Sequence, residues 1–178
     1  MTQIRYLTTE DFSIYKSLLL QGINKELEVL AWKLQNEKCL NDTDLHNLLS
    51  TDSTDCIVLG AFEQDILMGA VTLIHHQTYS LSHKATLENM CVKDENQASK
   101  EQISNLLMRQ IFKICNEKEI EILMTSLISN NISGKVFFSN LNFETLVLEQ
   151  HARKYDNYYV DEHWLIYHFD GNDSDLFV

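Results

Sequence analysis

Few residues of this chain combine a reactive type with a telling position. Glu88 is one. In ATLENMCV (85–92) it is a charge inside an apolar, strand-like run, and a carboxylate placed there needs a partner or a task such as taking a proton. Asn131 is another. NNISGKVFFSNLNF (130–143) follows the apolar run IEILMTSLIS, so Asn131 either closes a strand as a turn residue or offers its amide to a ligand. Tyr155, Tyr158, Tyr159 and Trp164 gather near the end of the sequence; such rings can hold a cation, or can pack a final hairpin. Trp32, with Leu27 and Leu30, suits a core or a pocket wall. His75 and His76 are adjacent on a strand-like run, so they point to opposite faces and do not chelate one metal easily. The 7 histidines show no HExxH spacing. The four cysteines, Cys39, Cys56, Cys91 and Cys115, form no CxxC pair, so no metal site and no disulfide framework is expected.

These residues must be held by regular elements. QIRYL (3–7) alternates as a first strand. Thr8 or Thr9 can cap a helix carrying Glu10 and Asp11 in its first turn, with Ile14, Leu18 and Ile23 at near-helical spacing. DTDLHNLLS reads as a short helix capped near Asp42 or Thr43. CIVLGAF is a strand apolar on both faces, EQD a turn, and ILMGAVTLIHH the return strand of a hairpin. The strand at 85–92 precedes a polar loop, KDENQASKEQ, and the clearest helix, 103–118, with Ile103, Leu107, Ile111 and Ile114 on its apolar face. The alternation of 85–92 puts Leu87 and Asn89 on one face and Thr86, Glu88 and Met90 on the other. EILMTSLIS is a strand, and SGKVFFSNL a short helix ended by Asn142, which tolerates the left-handed cap. ETLVLEQHARKYDNYY and DEHWLIYHF supply two antiparallel strands joined by a long aromatic connection.

Composition sets the bounds. The chain has 178 residues, 44% hydrophobic and 22% charged, which fits one globular domain over residues 1–170 with a polar tail at 171–178. No apolar run is long enough to cross a membrane. No signal-peptide core opens the sequence, and the scattered cysteines suit a reducing, cytoplasmic setting. The net charge of −12 repels phosphate backbones and favours cationic partners such as amines.

The order β, helices, β-hairpin, β, helix, β, helix, β, β resembles the GNAT acetyltransferase superfamily over about residues 3–169. Three segments carry the resemblance. The first is ATLENMCV with the polar loop and long helix after it. The second is Asn131, Gly134, Phe138, Asn142 and Phe143, which follow the pattern N-x-x-A-x-x-x-Y-x-x-x-G-F. The third is KYDNYYVDEHWLIYHF, similar to K-x-D-G-x-Y-x-D-E.

The resemblance implies an α+β fold: a mixed central sheet flanked by helices, in which the parallel strands at 85–92 and 120–128 splay apart. It implies acetyl-CoA as cosubstrate. Its peptide-like pantetheine arm would pair, as a pseudo-strand, with backbone groups at Met90, Cys91 and Val92, and would take the amide of Asn131. The pyrophosphate would sit on the N-terminus of the 103–118 helix. There the chain departs from the family's Q/R-x-x-G-x-G/A signature and reads NQASKEQISNLL. One register starts at Gln97 and puts Lys100 and Gln102 at the glycine positions. The other starts at Ser99 and puts Gln102 and Ser104 there.

Phe138 stands where many members carry a tyrosine that protonates the departing thiolate; Ser133, water or a tyrosine of 155–159 could stand in. Glu88 would be the general base, and Trp32, Tyr155 and Tyr159 would line the acceptor pocket. Two functions follow. One is direct N-acetylation of a small-molecule or peptide amine by a monomer or homodimer that binds neither nucleic acid nor membrane. The other is a catalytically impaired member with a binding or regulatory role.

Overall fold

The structure is a computed structural model and describes residues 1–24, 41–50, 55–93, 97–155 and 157–169. Trp32, Cys39 and the tail at 171–178 lie outside the described residues. The strands are β1 (Gln3–Tyr6), β2 (Cys56–Glu63), β3 (Ile66–His75), β4 (Lys84–Val92), β5 (Ile122–Ile128), β6 (Glu144–Tyr155) and β7 (Tyr158–His168). The helices are α1 (Phe12–Asn24), α2 (Asp42–Leu49), α3 (Gln97–Glu117) and α4 (Ile132–Asn140). The strands form one sheet in the order β1-β2-β3-β4-β5-β7-β6. Every neighbouring pair is antiparallel except β4 and β5. This is the mixed α+β fold expected.

Two cores sandwich the sheet. On one side Leu107, Met108, Ile111 and Phe112 of α3, and Phe138 of α4, pack on Leu87, Leu123 and Leu165. On the other, Tyr15, Leu18 and Leu19 of α1 and Leu45 and Leu49 of α2 pack on Val58, Ala70 and Cys91. Full burial of one such aliphatic side chain is worth about 1.5–3 kcal/mol. The phase of α1 differs from the one expected: Ile14 is 42% exposed, and its neighbour Tyr15 is fully buried. Tyr15 can take the core position because its hydroxyl finds a partner there.

Local chemistry sets the element ends. Arg5 clasps the Asp11 carboxylate through both guanidinium nitrogens, at 2.8 and 2.7 Å, and Thr8 N–H donates to the same group at 3.0 Å. Asn41, one residue before the expected caps, accepts from Thr43 N–H at 2.9 Å to start α2. β2 and β3 are joined by Gln64 and Asp65 alone, with φ of 48° and 65°. Two left-handed residues are what a type I′ turn requires.

Three expectations need correction. The helix expected at 103–118 starts at Gln97, so residues 97–102 are helical and not loop. QASKEQ contains no glycine or proline and is built mostly of good helix formers. The connection between the last two strands is short: Tyr155 pairs with Tyr158 across residues 156 and 157. Finally, β4 does not alternate evenly. Ala70 pairs with Cys91 and Thr72 with Glu88, so Val71 faces both Asn89 and Met90. Asn89, at φ 53°, is the extra residue of a β-bulge. The bulge moves Met90 onto the Leu87 side, in the α3 core with Val92, and leaves Glu88 on the α1 side with Thr72.

Candidate functional site

β4 and β5 pair at only three positions, Lys84 with Ile122, Ala85 with Leu123 and Thr86 with Met124. Beyond Thr86 the facing edges separate. A buried strand edge left unpaired costs free energy until something satisfies it. One group is met from within: Thr125 Oγ1 donates to Leu87 O at 3.3 Å. A cleft of about 220 Å³ opens where the strands part. Met90 and Val92 of β4 and Leu127 of β5 form its floor. Lys100, Glu101 and Ser104 of α3 form one wall, and Asn131, Ser133, Gly134, Phe137 and Phe138 of the α4 corner form the other.

The α4 corner is tightly built. Asn131 is buried, and its Oδ1 accepts from Gly134 N–H at 2.9 Å and from the Ser133 hydroxyl at 3.3 Å. A Cβ on residue 134 would lie 2.8 Å from Asn131 Nδ2 and 2.9 Å from Oδ1, so the cap needs glycine there. Phe138 is 2% exposed and stacks edge-on to Phe137 at 5.2 Å and Phe143 at 5.0 Å. It presents only carbon to the cleft. Asn142, at φ 65°, ends the turn after α4 in the left-handed form expected of it.

The α3 wall is different. Lys100 is the one cation and Glu101 the one carboxylate among the described residues that line the cleft. Ser104 is 7% exposed and lines it too. Gln102 is exposed and lies outside the lining of the cleft. Gln97 opens the helix. Cys91 offers backbone only: its side chain turns to α1, where Sγ donates to Leu18 O at 3.6 Å.

On the α1 side of β4 lies a group that the sequence reading did not find. Tyr15 Oη is 3.3 Å from Thr72 Oγ1, and the buried Asn89 of the bulge lies on the same side of the molecule as that hydroxyl. Burial pushes the Tyr15 hydroxyl well above its ordinary pKa, so it stays protonated. An asparagine in a strand next to a glutamate was the available signal, since Asn favours the left-handed region and disfavours strands. Glu88 is half-buried beside this group, and its charge is felt by Cys56. Burial pushes Cys56 up to about 11 and Cys115 up to about 12, so both are inert thiols.

Of the acceptor candidates, Tyr155, Tyr158 and Tyr159 share the tip of the β6–β7 hairpin. Tyr159 is 51% exposed, with the His151 ring at 4.6 Å and Lys154 Nζ 5.6 Å from its own ring. Tyr155 closes β6. Trp164 donates to Glu149 Oε2 at 2.8 Å, and Arg153 to buried Glu162 at 2.8 Å. No group of three metal-ligating side chains occurs among the described residues, and none of the described helices is long and apolar enough to cross a membrane.

The comparisons agree with this architecture. The Acetyltransferase (GNAT) domain family matches residues 4–164. A probable acetyltransferase from Staphylococcus epidermidis is 37% identical, with 96% of this chain and 100% of that one covered and a TM-score of 0.83. An N-acetyltransferase from Staphylococcus aureus is 32% identical, with 94% and 97% covered and a TM-score of 0.74. A Salmonella typhimurium protein solved with its cofactor acetyl-CoA shares the fold at 9% identity, with 97% and 96% covered and a TM-score of 0.76. No protein of curated function matches the chain at a significant level. The chain belongs to the GNAT acetyltransferase family, whose acyl donor is acetyl-CoA.

Proposed function

We propose that this protein transfers the acetyl group of acetyl-CoA directly to an amine of a small molecule or peptide, and that the cleft between β4 and β5 holds the donor. The observation that carries this reading is the end of β4–β5 pairing after Thr86 and Met124. A peptide-like arm can pair with the strand edge released there, and Met90, Val92, Leu127 and Phe138 supply an apolar lining for it. The Asn131 cap leaves its Nδ2 as a donor on the cleft wall. The pyrophosphate has a poorer seat, because side chains of α3 stand where the family has glycines, and Glu101 faces the same space.

Glu88 and Met90 lie on opposite sides of the bulge. In our reading the donor approaches from the α3 side and the amine from the α1 side. An alkyl ammonium must lose a proton before attack, and Glu88 takes it, directly or through water. The bond from amine nitrogen to the acetyl carbon forms as the carbon–sulfur bond breaks, and the sulfur leaves as thiolate. A thiol pKa of roughly 8.5 lets it depart without a strong acid, which fits a phenylalanine at 138. The net charge of −12 favours a cationic acceptor, and cysteines scattered with no CxxC pair fit a cytoplasmic setting.

Calorimetric titration with acetyl-CoA tests donor binding, and absence of binding overturns the assignment. A screen of polyamines and peptide N-termini tests the acceptor. With an accepted amine in hand, Glu88→Gln should lower the rate most near and below neutral pH, where the amine is mostly protonated. An unchanged pH–rate profile would remove Glu88 from the mechanism. Phe138→Tyr should raise turnover by about tenfold or less, below the usual range for a positioned acid, because the thiolate already leaves well.

A second reading, a member that binds the donor without turning it over, is favoured by the buried Phe138 and the side chains on the α3 wall. Donor binding with no turnover across the amine screen would establish it.

A further inference from the structure

We propose that Trp164 is a specificity-determining residue for the acceptor: its indole face, with the Glu149 carboxylate at its edge, holds a second cationic group of an elongated amine whose reacting nitrogen lies at Glu88. The inference rests on the reading that the amine approaches from the α1 side.

Strand register places the group. Thr86 of β4 and Met124 of β5 are the last pair before the two strands part. Two residues further on, Glu88 and Ser126 stand on either side of the gap. Both face the α1 side, because Leu87, Leu123 and Leu127 face the α3 core. Ser126 pairs with Trp164 of β7, and Trp164 with Val147 of β6. Residues directly opposite one another share a face, so one row runs from the proposed base across the sheet to the indole. Among the described residues, the α1-side core draws on β2, β3 and β4 and on nothing from β5, β6 or β7. Met124, Ser126, Trp164 and Ile166 stay partly exposed on that half of the face.

The charges there are unevenly met. Glu149 and Glu162 are opposite one another on β6 and β7, and like charges so placed are destabilising. Glu162, 1% exposed, is answered by Arg153 Nε at 2.8 Å. Glu149 is exposed and accepts the neutral indole N–H of Trp164 at 2.8 Å; among the described residues it forms no ion pair. A ligand cation would give Glu149 the compensation that Arg153 gives Glu162. The same hydrogen bond fixes the indole through its edge and leaves a π face for a cation, whose attraction the adjacent carboxylate reinforces. From Glu88 to Trp164 is at least two strand spacings, roughly 10 Å, so the two cationic groups of the acceptor stand on that order apart. A linear polyamine meets this requirement, and a monoamine does not.

The test uses spermidine and octylamine, which match in chain length and differ in the number of ammonium groups. Spermidine affinity is read by calorimetry with and without coenzyme A. The kcat/KM for each amine is read from acetyl-CoA-dependent thiol release. Trp164→Leu leaves the net charge unchanged. It should weaken spermidine binding by about tenfold, the scale of one well-placed cation–π contact, and remove most of the preference for spermidine over octylamine. Trp164→Phe keeps a π face and should bind spermidine better than Trp164→Leu. Glu149→Gln keeps a carbonyl to accept the indole N–H and removes the charge. It should weaken spermidine by about threefold, an effect that fades as salt is raised. This exposed position carries the test even where Trp164→Leu does not fold.

Equal spermidine affinity in native protein, Trp164→Leu and Glu149→Gln overturns the proposal, as does native protein that fails to bind spermidine or prefers octylamine. Spermidine binding that depends on Trp164 and yields no turnover supports the acceptor site and removes the transfer reading instead.

Discussion

Two helices begin at the rim of the same cleft, and they begin in opposite ways. α4 starts on a side chain that satisfies its own backbone: Asn131 takes the Gly134 N–H and the Ser133 hydroxyl, and glycine at 134 leaves the room for it. α3 starts on Gln97 with no glycine in its first two turns, and sends Lys100, Glu101 and Ser104 into the cleft. Free amides at a helix N-terminus serve a ligand only if the ligand can reach them. The comparison teaches that the two ends of the proposed donor cleft are built unequally. On the proposed reading, the corner that would meet the pantetheine arm is well built, and the wall that would meet the phosphates is filled.

The largest effect should come from breaking the better-built side. Asn131→Ala removes the α4 cap, costs about 1 kcal/mol of stability, and should weaken acetyl-CoA by about tenfold or more, as loss of a buried donor does. Gly134→Ala reaches the same side chain from the other direction and should reproduce most of the binding loss. Titration of both variants, with chemical denaturation alongside, checks this; native affinity in Gly134→Ala would show that Asn131 is not placed by that glycine.

A smaller effect of opposite sign is expected on the α3 wall. Glu101→Gln removes the one carboxylate facing the cleft among the described residues and should tighten acetyl-CoA by about two- to fivefold, the scale of an exposed charge pair. The gain should shrink as salt is raised. Gln102→Gly should do little for binding, since Gln102 lies outside the cleft lining, and should cost the helix about 1 kcal/mol. Equal affinity in Glu101→Gln and native protein would mean that the phosphates do not pass that wall.

The smallest effect concerns the support beneath α4. His163 on β7 has its Nδ1 buried without a partner, and its Nε2 lies 3.5 Å from Lys135 Nζ of α4. Burial and the neighbouring ammonium hold its pKa below the ordinary histidine value. The folded state therefore binds fewer protons than the unfolded one, and the stabilising contribution, complete above about pH 6.5, is lost as pH falls below it. Urea midpoints measured at pH 7.5 and 5.5 should differ more in native protein than in His163→Leu.

Most of the fold was legible in the sequence because apolar periodicity dictates it: β2, β3, the α3 face and the order of elements all follow from where Leu, Ile and Val recur. What escaped has local causes. The start of α3 was hidden by expecting a phosphate loop, although QASKEQ carries no helix breaker. The bulge at Asn89 leaves no mark in a pattern of alternation, since it consists of one residue too many. The phase of α1 slipped because Tyr15 is a polar-tipped ring whose burial depends on a partner far along the chain, Thr72. At the cleft, Asn131, Ser133 and Phe138 follow from the corner motif, Met90 and Val92 from the strand expected to splay, and Glu101 from the acidic residues beside the expected phosphate loop.

The turn between β2 and β3 leaves thermal stability unclaimed. Gln64 and Asp65 both adopt left-handed backbone, at a cost of roughly 1–2 kcal/mol for an ordinary residue in that region. Asn and Gly reach the same geometry at little expense. Replacing the pair by Asn-Gly should raise the melting temperature by about 2–4 °C for each kcal/mol recovered in a chain of this size, with neither strand disturbed and the cleft untouched. The hairpin could then serve as a stabilised background in which weakened cap variants still fold, so that their binding can be measured free of unfolding.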